Sequence, residues 1–186
     1  MKKIIVSVLW IILIGSVTCA QKLTATLSID KVDISGLKAG DEISVPVRLV
    51  NMSGEKLLGF QLFVNFDHML LVWPANIDDP AKGVKNISNE LPYSGGGWMF
   101  NDNGNQFVAL WNDPGLLGIN VSDDIILFEI VFIYQGGLLK GTNTVLNWGQ
   151  TYEIAEDKLV KGPTEMYDEN GDKFELTLTE GGLIHK

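Results

Sequence analysis

Three groups of residues have the types and spacing to do chemistry. Asp168, Asn170 and Asp172 stand at alternate positions, as oxygen ligands do at the start of a calcium-binding loop. That loop needs a glycine after the third ligand and a bidentate acid at its end, and those positions hold Lys173 and Thr179. Gly171 directly follows Asn170, and Phe174, Leu176 and Leu178 then alternate, so the stretch reads as a hairpin turn with no metal site. The second group is aromatic. Trp73, Trp98, Trp111 and Trp148, with Tyr93, have flat apolar faces suited to the CH face of a pyranose, although sandwich cores commonly bury tryptophan. Trp98 follows three glycines beside an irregular loop, which makes it the candidate for an exposed carbohydrate-stacking ring. The third group is catalytic in type but sparse. His68 falls in a turn and His185 beside the C-terminus, and there is no Gly-x-Ser-x-Gly elbow. Paired carboxylates for glycoside hydrolysis leave no local mark among 23 acidic residues, so a hydrolase stays as the distant alternative to a protein with no catalytic residues and no cofactor.

The strongest single stretch runs from Leu57 to Leu70. Leu58, Phe60, Leu62, Val64 and Phe66 are large and apolar at every second position, one continuous buried face of a strand. The opposite face is Gly59, Gln61, Phe63 and Asn65. It is polar except for one aromatic, and is the expected binding surface. Asp67 ends the strand in a turn.

Lys2 and Lys3 precede an apolar run from Ile4 to Ile14, and Thr18-Cys19-Ala20 offers small residues for cleavage, so residues 1–20 read as a secretory signal peptide. The alternatives are a lipoprotein anchored through Cys19 and an uncleaved membrane anchor, for which the run is short. Cleavage would remove the only cysteine, leaving the core to stabilise a single domain over residues 21–186. It would also leave 12 of the 14 basic residues against 23 acidic ones, a net charge of −11. That balance argues against nucleic acid or an anionic membrane as partner, and for a secreted or cell-surface domain with no membrane insertion.

The other segments also alternate. Leu23 to Ile29 gives a first strand; Ile43 to Leu49 gives a second, whose Pro46 cannot donate to a ladder and so calls for an edge or an unpaired side. Residues 73–97, with Pro74, Pro80, Pro92 and Gly95-Gly96-Gly97, make an irregular excursion that could hold a short helix. Trp98 to Phe100 and Phe107 to Trp111 flank an Asn-Gly turn as a hairpin, and Ile126 to Tyr134 is the second strongest strand. Val145 to Trp148 and Tyr152 to Ala155 are shorter ones. Eight or nine strands without helical periodicity give an all-β protein, an antiparallel β-sandwich or barrel.

Taken in order, Ala39-Gly40-Asp41 with Val45-Pro46-Val47, Leu58-Gly59-Phe60 through Phe66-Asp67 and Leu70, Ala109-Leu110-Trp111 with its glycine loop, Leu127 to Tyr134, and the final Gly-Gly-Leu-Ile resemble a cohesin domain over nearly all of Leu23 to Ile184. The resemblance implies a nine-stranded jelly roll related to cellulose-binding modules, and a dockerin module as partner in polysaccharide breakdown. It also implies contact positions on the outward side of the Leu57 strand and its neighbours, which fall on Gly59, Gln61, Phe100 and Asn112. Gln61 and Asn112 keep hydrogen-bonding ability without the charge, and Phe100 keeps aromatic character. Gly59 offers no side chain. The partner-binding candidates are thus Gln61, Phe63, Asn65, Phe100 and Asn112, with a dockerin-like module, another protein or a polysaccharide as the partner.

Overall fold

The computed structural model describes residues 22–75, 79, 82–92, 97–151, 153–155 and 158–186. Residues 1–20, the stretch expected to be a signal peptide, with Cys19, and Tyr93 and Tyr152, lie outside the described residues. Fifteen strand segments appear among the described residues: β1 (Thr24–Ile29), β2 (Lys31–Asp33), β3 (Glu42–Met52), β4 (Leu57–Asn65), β5 (Leu71–Val72), β6 (Val84–Lys85), β7 (Trp98–Asp102), β8 (Gln106–Asn112), β9 (Ile125–Tyr134), β10 (Thr142–Trp148), β11 (Glu153–Ala155), β12 (Lys158–Lys161), β13 (Glu165–Asp168), β14 (Glu175–Thr179) and β15 (Gly181–His185). One sheet runs β14-β1-β3-β9-β5, with β6 also on β9. The other runs β2-β15-β10-β4-β8-β7, with β13 also on β4, and β11 pairs with β12 as a separate finger.

Apart from that finger, these segments are nine strands, several of them broken. Only Asp30 separates β1 from β2 and only Glu180 separates β14 from β15, so the first and last strands each bend from one sheet into the other. These two run parallel to each other in both sheets, while the remaining pairs are antiparallel. The bend requires glycine, because a Cβ on Gly181 would lie 2.4 Å from the Ile29 carbonyl oxygen and one on Gly182 would lie 2.0 Å from that of Thr144. β5 and β6 are collinear along β9, and β10 and β13 are collinear along β4.

β3 is an interior strand, so the edge expected from Pro46 is not found. The unpaired side is found instead. In an antiparallel ladder the N–H and C=O of one residue point the same way, and the Pro46 carbonyl accepts from Asp30 N, where β1 leaves the sheet. The proline nitrogen therefore faces a gap in the ladder, where no donor is needed.

The core forms between the sheets. Phe60, Leu62 and Val64 of β4 and Phe107, Ala109 and Trp111 of β8 face Val45, Val47, Phe128, Ile130 and Phe132 from the other layer, all buried. Phe66 is buried and packs on Phe132, their centroids 4.9 Å apart. At the start of β4 the alternation slips. Leu57, not Leu58, is fully buried, since Leu57 N and O both pair with Ile119 and draw the 113–119 loop back over it. Asp67 makes the expected turn, its Oδ1 accepting from Met69 N and its carbonyl from Leu70 N.

Candidate functional site

The outward side of the β13-β4-β8-β7 sheet is set by strand register. Gly59 lies opposite Asn112, Gln61 opposite Leu110, Phe63 opposite Val108 and Asn65 opposite Gln106. β13 places Tyr167 beside Gly59 and Glu165 beside Gln61, and β7 places Met99 beside Leu110. The face therefore consists of cross-strand rows, and its two ends differ.

At one end the face is closed. The strand formed by β10 and β13 breaks opposite Phe63 and sends out residues 149–164, which carry the β11–β12 finger. Gly149 N donates to the Phe63 carbonyl, Phe63 N donates to Thr164 Oγ1, and that hydroxyl returns a bond to the same carbonyl. Gly149 and Gly162 close directly on the ring: a Cβ at 162 would be 2.4 Å from Phe63 Cζ, and one at 149 would be 2.7 Å from Phe63 Cβ. Phe63 is accordingly only 2% exposed, which corrects the expectation that it is an exposed contact. Asn65 lies outward, and its amide is committed, donating to Asn147 Oδ1 at 2.7 Å and accepting from Gln106 Nε2 at 2.7 Å. Gln106, itself buried, accepts from Gly162 N and so ties this amide chain to the base of the finger.

At the other end the face is open. Met99 is exposed and Leu110 half-buried beside it. Next to them Gln61 Nε2 donates to Glu165 Oε2 at 2.8 Å, Lys173 Nζ donates to Glu165 Oε1 at 2.6 Å, and Tyr167 Oη donates to the same carboxylate. The Lys173 ammonium also lies 5.8 Å from the Tyr167 ring centroid. Burial pushes the Glu165 carboxyl up, but the bonds from Lys173, Tyr167 and Gln61 outweigh it and hold the group below its ordinary value. Asn112, exposed, completes this end.

Two aromatic expectations change. Phe100 is 3% exposed and faces the core, because β7 pairs Phe100 with Ala109 and Trp98 with Trp111, both of which point inward. A one-residue offset along a strand reverses its face, and the outward residue here is Met99. Trp98 is half-buried and packs against Phe60, Phe100, Trp111 and Phe128 at centroid distances of 5.0 to 6.3 Å, so the ring expected to be exposed is joined to the core. Trp73, Trp111 and Trp148 are buried.

Asp168 lies in the expected turn. It is 2% exposed; its Oδ1 accepts from Asn170 N and Asp172 N, and its Oδ2 from Asn170 Nδ2. Burial raises this carboxyl, and those bonds more than offset it and lower it. Gly171 takes the left-handed φ of 82° that the turn requires. Its oxygens thus face the turn's own donors. Among the described residues no three His, Cys, Asp or Glu side chains group as a metal site, and His185 Nδ1 pairs with the Leu138 carbonyl instead.

No protein-family model and no curated protein sequence matches the chain. Solved structures do. The sixth cohesin of Acetivibrio cellulolyticus scaffoldin B, solved in complex with a mutant Cel5 dockerin, is 16% identical with a TM-score of 0.66, covering 88% of this chain and 99% of that one. The OlpA cohesin of Clostridium thermocellum, in a type I cohesin–dockerin complex, is 17% identical with a TM-score of 0.64 over 88% and 99% of the two chains. A non-cellulosomal cohesin from Archaeoglobus fulgidus is 18% identical with a TM-score of 0.55 over 86% and 89%. The jelly-roll sandwich, the strands that bend between its sheets and these likenesses agree that the chain has the fold of cohesin domains.

Proposed function

We propose that this domain is an exported, non-catalytic module that captures a dockerin-type protein partner on the open end of its outer sheet face, in the context of polysaccharide breakdown. One observation carries the proposal. An apolar pair, Met99 on the edge strand β7 and Leu110 beside it on β8, adjoins the hydrogen-bonding groups of Gln61, Glu165, Tyr167 and Asn112 on the same face, apolar surface beside polar groups as in a protein interface. Two of the similar structures are cohesins in complex with dockerins, which supports the choice of partner class. Gln61 and Asn112 contact the partner, whereas Asn65 belongs to the finger's footing.

The test is capture of calcium-loaded dockerin modules by the immobilised domain. Wild type should retain at least one module and release it on chelation, since metal-coupled folding makes a dockerin depend on calcium. Met99→Asp and Leu110→Asp should each weaken capture at least tenfold while the far-ultraviolet circular dichroism stays unchanged. Retention that is indifferent to both substitutions would move the site elsewhere on the domain.

A further inference from the structure

Asn-Gly occurs twice in the chain, at Asn103-Gly104 and Asn170-Gly171, and the fold surrounds the two pairs differently. In each, the glycine nitrogen is placed by the covalent chain to attack the amide carbon of the asparagine before it, and glycine has no side chain to hinder the approach. At the second pair, Gly171 N donates to the Asp168 carbonyl at 2.9 Å, and Asn170 Nδ2 is tied to Asp168 Oδ2 at 3.0 Å. A peptide carbonyl is no base, so both reacting groups are held apart from the reaction. At the first pair, Gly104 N donates instead to a carboxylate, Asp102 Oδ1, at 2.7 Å. Asn103 Oδ1 accepts from Asn101 Nδ2 at 3.5 Å, a long contact aimed at the oxygen on which charge would gather. Asn103 N bonds to the Gln106 carbonyl and Phe66 N to that of Asn105, each at 3.0 Å, and these fix the loop that carries the three groups.

From this geometry we propose that Asn103-Gly104 is a self-modifying site, where Asp102 acts as general base in a single-turnover cyclisation and deamidation of Asn103. Asp102 Oδ1 takes the proton from Gly104 N, which attacks Asn103 Cγ. Asn101 Nδ2 meets the charge that develops on Asn103 Oδ1. Asp102 then gives its proton to the amide nitrogen, which leaves as ammonia, and a five-membered succinimide remains. Water adds to either imide carbonyl and opens the ring to an aspartate or an isoaspartate at position 103. Water has access, because His68, Asn103, Gly104 and Asn105 line an open cleft and nothing lies within 4 Å of where a Cβ on Gly104 would stand. The Asp102 carboxyl stands above its ordinary value, since burial outweighs the Gly104 bond and the charge of His68. That makes it a stronger base than an exposed aspartate.

The test follows both pairs in one sample. The purified domain is incubated at neutral pH, and conversion at each asparagine is read by peptide mass mapping and by isoaspartyl methyltransferase labelling. In the folded domain Asn103 should convert at least about tenfold faster than Asn170, and faster than Asn103 itself in the chain unfolded by guanidinium. Asp102→Asn keeps an acceptor for Gly104 N and removes the base; it should slow Asn103 at least about tenfold when folded and leave the unfolded rate unchanged. Asn101→Ala should slow it about 3- to 10-fold, as for one lost hydrogen bond. Should Asp102→Asn fail to fold, the comparison of folded with unfolded wild type decides alone. Folded wild type that converts Asn103 no faster than the unfolded chain overturns the proposal, as does a folded Asp102→Asn variant whose rate is unchanged or higher.

Discussion

Replacing Phe63 with alanine separates the two roles its position could have, a partner contact or the footing of the β11–β12 finger. The ring is 2% exposed although it projects from the outer side of the sheet, and its cover is Gly149, Gly162 and Thr164 from the excursion, with Val108 opposite on β8. Phe-to-Ala truncations in well-packed sites cost about 3–5 kcal/mol. The lower end applies here because a narrow finger can settle partway into the space, whereas a second sheet could not. A loss of ~3 kcal/mol corresponds to a fall in Tm of about 6–12 °C for a domain of this size, since each kcal/mol is worth about 2–4 °C. Thermal denaturation followed by circular dichroism measures it directly. Hydrogen exchange should show faster opening at Gly149, Gly162 and Thr164, whose amide partners depend on the footing. Affinity for a dockerin module, read well below the melting range, should change less than twofold. A melting temperature within 2 °C of wild type combined with lost capture would refute the footing and return Phe63 to the interface.

Two further outcomes follow from carboxylates held below their ordinary values. Asp168→Ala removes the acceptor of three turn donors in a buried position and should cost about 2–3 kcal/mol by denaturant titration, with Asp168→Asn in between because the charge assistance is lost. Glu165→Gln should cost ~1 kcal/mol at neutral pH, a modest figure because its Lys173 partner is largely exposed. Because the folded carboxyl titrates below its unfolded value of about 4.5, its stabilisation is complete above that pH and is lost as pH falls through the lower folded value. The wild-type and Glu165→Gln stability curves should therefore converge on acidification; a constant gap from pH 7 to pH 3 would remove the ion pair from the account.

Much of the fold was legible because period-two alternation is a local signal. Phe60, Leu62 and Val64 showed the inner face of β4, and Asp67 and Gly171 marked turns. Pro46 gave half an answer: its missing donor showed in the sequence, but the ladder gap came from β1 leaving at Asp30, a neighbour set by topology. Phe100 was misplaced for a physical reason of the same kind. Trp98, Met99 and Phe100 are all apolar, so alternation does not decide which of them points inward, and only pairing with Ala109 and Trp111 does.

The outer face shows where local pattern stops deciding function. Gly59, Gln61, Phe63 and Asn65 form one continuous side by sequence, but the break of the β10–β13 strand opposite Phe63 divides them into an open half and a sealed half. The sequence does mark that break. Gly149 and Gly162 are the two glycines at which a Cβ would strike Phe63, so the cover over this ring depends on both. The same reasoning links Gly59 to Asn112. A glycine inside a strand with ordinary φ marks a close approach by a neighbour, here Asn112, whose Oδ1 a Cβ at position 59 would meet at 2.4 Å.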